Sequence, residues 1–545
     1  MRMPKIAADR APAAAKASAA APDSSDGGDL PGDQPAGNRG RATRLAGLRA
    51  LLGQHWLAVA LLGIGLALRV LTQVSYHPAI VYIDSVKYLY GAWPGQDPLG
   101  YDAPLKLILL AGDLGTVELV QHLLGLAVAV LLYVLLLRRG VPRWLAAVAM
   151  APVLLDGYQL QIEATIMPDV WFEALIVAGL ACLLWKPVTS WRACIAGGIL
   201  LGGSALFAQV GEILIIPAVI LMVAEARGWR QVVKKTVVVA CAFALPVLVY
   251  CAGNYMLSGH FWLTREGYQS TYGRVAAAAD CATLKIPAAE SALCPTPGQQ
   301  ARGPDWLMHG LASPLRFYKA PGGGSTTALI SNFNSSVIKQ QPLRVFDAIA
   351  RDSIKLFALS RMTNRGDTRI SRWQFQTSYP CILPTVCTNA AGTIILGVNH
   401  YAFNGPTDYI PLTSSYGGQA QVWGPGARIL RDYQLSGGYT PGPVFLLSVL
   451  IGLAGSLAVL RRRASAAQRQ LTLACLAFFT AAASVLVMSD LFEFSWRYQL
   501  PALVTLPPAG ALGLAALLRY ARRRRIERAT SASAGRAVKL TARAG

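Results

Sequence analysis

The stretch Leu119-Val-Gln-His-Leu-Leu-Gly-Leu-Ala-Val-Ala-Val-Leu-Leu-Tyr-Val-Leu-Leu-Leu137 is followed at once by Arg138-Arg139-Gly-Val-Pro-Arg143. The first part has no charged side chain and, as a helix, is long enough to cross roughly 30 Å of hydrocarbon. The second part sets three arginines where that helix ends. The same pairing of apolar run and basic cluster recurs along the chain. It accounts for a composition of 54% hydrophobic and 14% charged residues over 545 positions, where a soluble domain carries about 25% charged residues. The net charge of +22 therefore belongs to short clusters between apolar runs, not to a basic patch interleaved with aromatics. Such clusters hold loops at an anionic cytoplasmic face, and nucleic-acid binding is excluded as a reading.

Ten such spans are read from the pattern: 56–75, 117–137, 144–160, 170–185, 193–208, 212–225, 236–253, 443–460, 470–488 and 498–518. The expected fold is an all-α polytopic membrane protein. Pro152 is expected to interrupt the third span, and Pro246 lies inside the seventh. Leu105–Ala111 is too short to cross and is expected to lie in the interface or re-enter. With ten spans, Arg138, Arg139, Arg143, Lys186, Arg192, Arg227, Arg230, Lys234, Lys235, Arg469 and Arg519 all fall on one side, as do the clusters at 39–49, 461–463 and 522–528. Dropping one span breaks the pattern. Both termini are then cytoplasmic. Residues 1–50 are rich in Ala, Pro, Gly and Asp without an aromatic residue, and they are expected to be disordered. The basic tail 519–545 is expected to be unfolded as well.

The segment 254–442 becomes one extracytoplasmic loop of roughly 190 residues, long enough for a small domain of mixed or irregular structure. It holds Cys281, Cys294, Cys381 and Cys387; the other five cysteines lie in spans. An even count in an oxidising compartment points to disulfides. Four cysteines allow three pairings, and the short separations favour 281–294 with 381–387.

The candidate chemistry sits in the short outer loops, 76–116 and 156–169, and before the last span. Val81-Tyr-Ile-Asp-Ser-Val-Lys-Tyr-Leu-Tyr90 places Asp84 one helical turn from Lys87 and Tyr88. A carboxylate there suits proton acceptance and a lysine suits a phosphate, while a solvated loop with a local ion pair is the plainer alternative. Asp156, Glu163 and Asp169 follow in the second loop. Asp169 opens a span, where it could simply cap the helix. Glu173, one turn inside, is costly unless it faces a polar cavity. The outer side holds few bases, namely Lys87, Lys106 and Arg497. Arg497 can hold a phosphate through two parallel hydrogen bonds, or anchor the interface with Trp496 and Tyr498. No nucleotide-binding P-loop, Ser-hydrolase elbow or His-Glu-x-x-His metal motif occurs in the sequence.

In order, sidedness and spacing these motifs resemble the GT-C glycosyltransferases, more narrowly glycosyltransferase family 39 and the aminoarabinose-transferase-like group. The likeness covers roughly 55–255 and 440–520. It rests on Asp84-Ser-Val-Lys87-Tyr88, on Gly100-Tyr101 through Pro104, on Gln121-His122, on Asp156-Gly157-Tyr158-Gln159 with Met167-Pro168-Asp169, and on Arg497-Tyr498-Gln499-Leu500-Pro501. Asp102 stands where that group usually has Pro. The resemblance implies sugar transfer, with inversion, from a polyprenyl-phosphate donor to an extracytoplasmic glycan, lipid or protein acceptor. It implies Asp84 as the base, and Lys87 and Arg497 as ligands of the lipid phosphate. Tyr88, Lys106, Glu163 and Tyr498 complete the expected substrate contacts. Asp169, with Glu163, would bind a divalent cation or orient the acceptor. Membrane lipids are the other expected partner. Two further readings stay open at this point: a transporter or flippase of a lipid-linked or anionic substrate, and a cell-envelope assembly scaffold using the large loop.

Overall fold

The computed structural model describes residues 52–545, apart from 92–97, 266, 383–385, 400–406, 413, 459–464 and 545. The segment expected to be disordered, and the basic clusters at 39–49 and 461–463, lie outside the described residues. The protein is a helical polytopic membrane protein with a few short strands. Every one of the ten expected spans carries a helix. Asp113 and Thr116 form a reciprocal capping box that starts Leu114–Arg138, and Ser190 and Ser465 cap Trp191–Ser204 and Ala466–Phe492. Each cap satisfies a backbone N–H left without a helical acceptor.

The helices differ in length. Among the described residues five helices are long and apolar enough to cross a membrane: Trp56–Ser75, Leu114–Arg138, Trp229–Ser258, Ala466–Phe492 and Pro501–Arg528. Arg143–Leu155 with Gly157–Glu163 makes a sixth only if the 55° bend between them is counted within one span. Asp169–Leu184, Trp191–Ser204, Ile215–Glu225 and Gly442–Leu457 have 16, 14, 11 and 16 residues. At 1.5 Å per residue these reach only about 16–24 Å. The shortest is extended by the 3₁₀ segment Gln209–Leu214, which runs directly into it and rises about 2 Å per residue.

The third span does not break at Pro152, which sits inside Arg143–Leu155. It turns at Asp156, the C-cap of that helix and the N-cap of Gly157–Glu163, whose carboxylate accepts the Tyr158 N–H at 3.0 Å. The tail after Arg519 is helical as far as Ala544, a correction explained by its Ala- and Arg-rich composition, which favours helix. Leu105–Ala111 falls on the short helix Asp102–Leu109, whose Leu107 is 69% exposed.

Several described basic residues bind neighbouring inter-helix segments. Arg139 donates to the carbonyls of Leu184 and Lys186. Arg469 donates to Ala224 and Glu225, Lys235 pairs with Glu225, and Arg519 donates to Gly140. The loops 76–116 and 156–169 and the large loop pack together. The large loop contains helices, the three-stranded antiparallel sheet Val386–Thr388, Ile394–Asn399 and Thr407–Pro411, and both expected disulfides, Cys281–Cys294 and Cys381–Cys387. It is not a detached domain. Gln421–Val422 pairs with Tyr76–His77 directly after the first span, and the Tyr379 hydroxyl donates to Ala79 O at 2.6 Å. Replacing both Cys281 and Cys294 by Ser is expected to cost about 3 kcal/mol, as for other closures of this length. Denaturant unfolding of the oxidised protein and the variant, compared with the reduced protein, checks it.

Between the bent span and its neighbours lies a buried polar cluster. Glu163 accepts from Arg69 Nη2 at 2.7 Å and Nε at 2.9 Å, and lies 3.0 Å from His122 Nδ1. His122 Nε2 is 3.4 Å from Glu118. Gly125 makes room for it, since a Cβ there would come within 2.2 Å of Glu163 Oε1. Charges at this depth are tolerated when they pair with one another. Here the pairing ties the first, second and bent third spans together.

Candidate active site

Three segments bring the site together. Ile80 N–H donates to Ala164 O and Ile166 N–H to Ile80 O, both at 2.9 Å, which stitches the loop 76–116 to the loop 156–169. Ser85 Oγ adds a bond to Ile166 O at 2.8 Å. Asp84 is the N-cap of the Ser85–Tyr90 helix but makes no side-chain cap bond. Asp169 opens Asp169–Leu184, again with no cap bond from the preceding Pro168. Neither carboxylate is used up by its own helix, so both are available to a third group.

That group is Arg497. Its Nη1 donates to Asp84 Oδ2 at 2.7 Å, its Nε to Asp169 Oδ1 at 2.8 Å, and its Nη2 to Asp169 Oδ2 at 3.1 Å. Three residues separated by up to 413 positions thus share one cluster. The turn bearing Arg497 is held by Leu500 N–H to Arg497 O at 3.0 Å and by the Trp496 indole N–H to Met362 O at 3.0 Å. The guanidinium lies 5.4 Å from the Trp373 ring and 5.5 Å from the Tyr498 ring. Tyr82 packs on Trp373 at 4.8 Å. Burial pushes the Asp84 carboxyl up, but Lys87 and Arg497 beside it outweigh that and hold it down to about 2. Its contribution to stability is therefore present above pH about 3.8 and is lost as pH falls through about 2.

The other expected residues divide. Lys87 stands near enough to Asp84 to lower its pKa, and its Nζ lies 5.2 Å from the Tyr88 ring. Tyr88 itself is buried edge-on against Tyr101 at 5.1 Å. Lys106 is more than half exposed and pairs with Asp102 at 2.9 Å, one turn back on its own helix. Glu163 belongs to the Arg69–His122 cluster, not to Asp169. Both Asp169 oxygens accept from Arg497. Among the described residues no three or more His, Cys, Asp or Glu side chains gather to hold a metal ion.

The large loop supplies groups that spacing did not reveal. Arg372 interacts with Tyr82 beside the triad, and His309 lies close enough to Asp84 to lower its pKa. Arg361 Nη2 meets Asp156 Oδ2 at 2.6 Å and Nη1 meets Oδ1 at 3.2 Å. Its guanidinium sits between Tyr158, Tyr439 and Trp496, 4.6, 5.2 and 5.4 Å from their rings. Glu493, four positions before Arg497, is buried, and its Oε2 finds no hydrogen-bond partner among the described residues. Burial, with Asp305 nearby, raises its carboxyl to about 8, against the opposing charges of Arg372, Arg274 and Arg497. The folded protein keeps a proton that the unfolded chain releases above about pH 4.5, so stability falls as pH rises from there to about 8. Glu493→Gln is expected to flatten that decline, as read from thermal unfolding between pH 5 and 8.

No family model matches the chain, and no curated protein does. Among solved structures it is similar to the S. cerevisiae protein O-mannosyltransferase Pmt1–Pmt2 complex bound to the sugar donor, at 15% identity over 41% of this chain and 36% of that one, with a TM-score of 0.31. It is also similar to the Archaeoglobus fulgidus oligosaccharyltransferase in the apo form, at 13% identity over 87% and 52%, with a TM-score of 0.38. The same enzyme tethered with an acceptor peptide gives 12% identity over 85% and 50%, with a TM-score of 0.36. The chain spans about a third to a half of the length of these structures.

Proposed function

We propose that this protein is a membrane glycosyltransferase that moves a sugar from a polyprenyl-phosphate donor to an acceptor hydroxyl, with inversion at the anomeric carbon. The observation that carries the proposal is the position of Arg497 between Asp84 and Asp169, with Lys87 at hand. A guanidinium bound to two carboxylates through three hydrogen bonds is already set in the geometry that a phosphate would take. When the donor's phosphate engages Arg497 and Lys87, Asp84 loses the neighbours that hold it down to about 2 and becomes a stronger base. It then accepts the proton of the acceptor hydroxyl while that oxygen bonds to the anomeric carbon. The bond from this carbon to the phosphate oxygen breaks, and its electron pair leaves with the polyprenyl phosphate. Arg497 and Lys87 neutralise the charge that develops there. The proposal puts both termini in the cytoplasm and the site with segment 254–442 on the other face.

Purified protein in liposomes, given polyprenyl-phosphate hexoses and pentoses, is expected to release polyprenyl phosphate and glycosylate an acceptor in cell-envelope extracts, as read by mass spectrometry. Asp84→Asn is expected to lower that rate at least 100-fold, the usual scale for a general base, without loss of folding. Full activity in the variant would remove Asp84 from the reaction. The buried Arg69–Glu163–His122 cluster gives a transporter its one specific support, since ionisable groups at membrane depth also mark transport paths. Movement of an intact lipid-linked sugar across the liposome bilayer, with no transfer, would favour that reading.

A further inference from the structure

The Pro342–Lys355 helix of the large loop has a surface that the proposed reaction does not use. Its Val345 and Asp352 are buried, whereas Leu343, Phe346 and Ile354 are 81%, 68% and 65% exposed. With Ala350 they recur at intervals of three and four residues, which places them on one face of the helix. Leu359 and Met362, just beyond the helix, are exposed as well. An apolar strip of this kind marks a membrane or protein contact.

The helix sits where membrane helices end. Ser353 Oγ donates to Asp490 Oδ2 at 2.7 Å, in the last turn of Ala466–Phe492. Phe357 and Ala358 abut Gly442, where a Cβ would come within 2.2 Å of the Ala358 carbonyl. Gly442 begins Gly442–Leu457, whose Leu446, Leu447, Leu450 and Leu453 are exposed, as expected of a surface facing lipid. Exposed apolar side chains therefore stand on both sides of this junction.

We propose that the Pro342–Lys355 helix lies in the lipid leaflet nearest the site, with Leu343, Phe346 and Ile354 among the acyl chains. Its occupant is lipid hydrocarbon, because the strip joins the apolar sides of membrane helices. The binding is apolar and not electrostatic: Arg344 pairs with Asp280 at 3.0 Å, Arg351 with Asp347 at 2.5 Å, and Lys355 with Asp352 and Asp367, both at 2.6 Å. Neutral lipids are therefore enough. The helix anchors the loop that carries Arg372, Trp373 and His309, and so holds the site at headgroup height. The inference does not depend on which reaction the site performs.

The test uses Phe346→Cys, Ile354→Cys and Arg351→Cys in the full chain, reconstituted in phosphatidylcholine vesicles and treated with a membrane-impermeant maleimide. The unaltered protein measures background from its own free cysteines, and gel filtration checks folding. A thiol among acyl chains stays protonated and unreactive. Labelling at 351 is expected to be at least ten times faster than at 346 or 354, at every protein-to-lipid ratio. Rates within twofold of one another would overturn the proposal. So would protection that appears only when protein is dense, which would assign the strip to a second copy, or protection only with added anionic lipid.

Discussion

Replacing Arg497 with Ala is expected to lower kcat/KM for a polyprenyl-phosphate sugar about a thousandfold. Removing a preorganised donor from a developing oxyanion typically costs 10²–10³ in rate, and here two further effects add to that loss. The variant loses a phosphate ligand, and it leaves Asp84 and Asp169 with no cation between them. Like charges at close range raise one pKa and repel an anionic donor, so KM rises along with the fall in kcat. Arg497→Lys keeps the charge but cannot span both carboxylates through Nε, Nη1 and Nη2, as Arg497 does at 2.8, 2.7 and 3.1 Å. It is expected to recover only part of the loss. Steady-state kinetics on folded variants check the order alanine, lysine, unaltered protein.

The second large effect is on stability. Arg361 and Asp156 are 5% and 0% exposed, and Asp156 also accepts from the N–H groups of Tyr158 and Thr440. Arg361→Ala leaves that carboxylate buried without its cation, which costs about 3–5 kcal/mol in comparable pairs. It also removes a guanidinium packed among three aromatic rings, one of them Trp496 beside Arg497. Thermal unfolding in detergent should show the loss. Adding Asp156→Leu to Arg361→Met should restore much of it, because a buried ion pair is often no better than apolar groups of its size. A double variant as unstable as the single one would mean that Asp156 matters mainly as the cap of Gly157–Glu163.

The parts of this protein that could be read from sequence are those governed by local pattern. Apolar runs, as at 119–137, place a helix in each of the ten expected spans, because an apolar run without charges favours a buried helix, while the length of each helix depends on what caps and extends it. Asp84, Asp169 and Arg497 are legible as candidates from their residue types and motif order, each beside a plainer reading as ion pair, helix cap or interfacial anchor, and the structure joins the three. Pattern failed where partners are distant. Nothing near Glu163 announces Arg69, 94 positions away. Nothing near Asp156 points to Arg361, 205 positions on. Pro152 points to a break in the third span because proline is the usual cause, but the cap at Asp156 makes the turn. The large loop shows no strong period, so its docking through Gln421–Val422 and Tyr379 could not be foreseen.

The central claim is that Arg497 holds its carboxylates in the resting state and exchanges them for phosphate when the donor binds. Its most direct test is the dissociation constant of polyprenyl phosphate, the sugar-free product, for the unaltered protein and for Asp84→Asn. If the claim holds, the amide variant binds this lipid several-fold more tightly, because the phosphate no longer competes with a carboxylate for the guanidinium. Equal or weaker binding by the variant would contradict it.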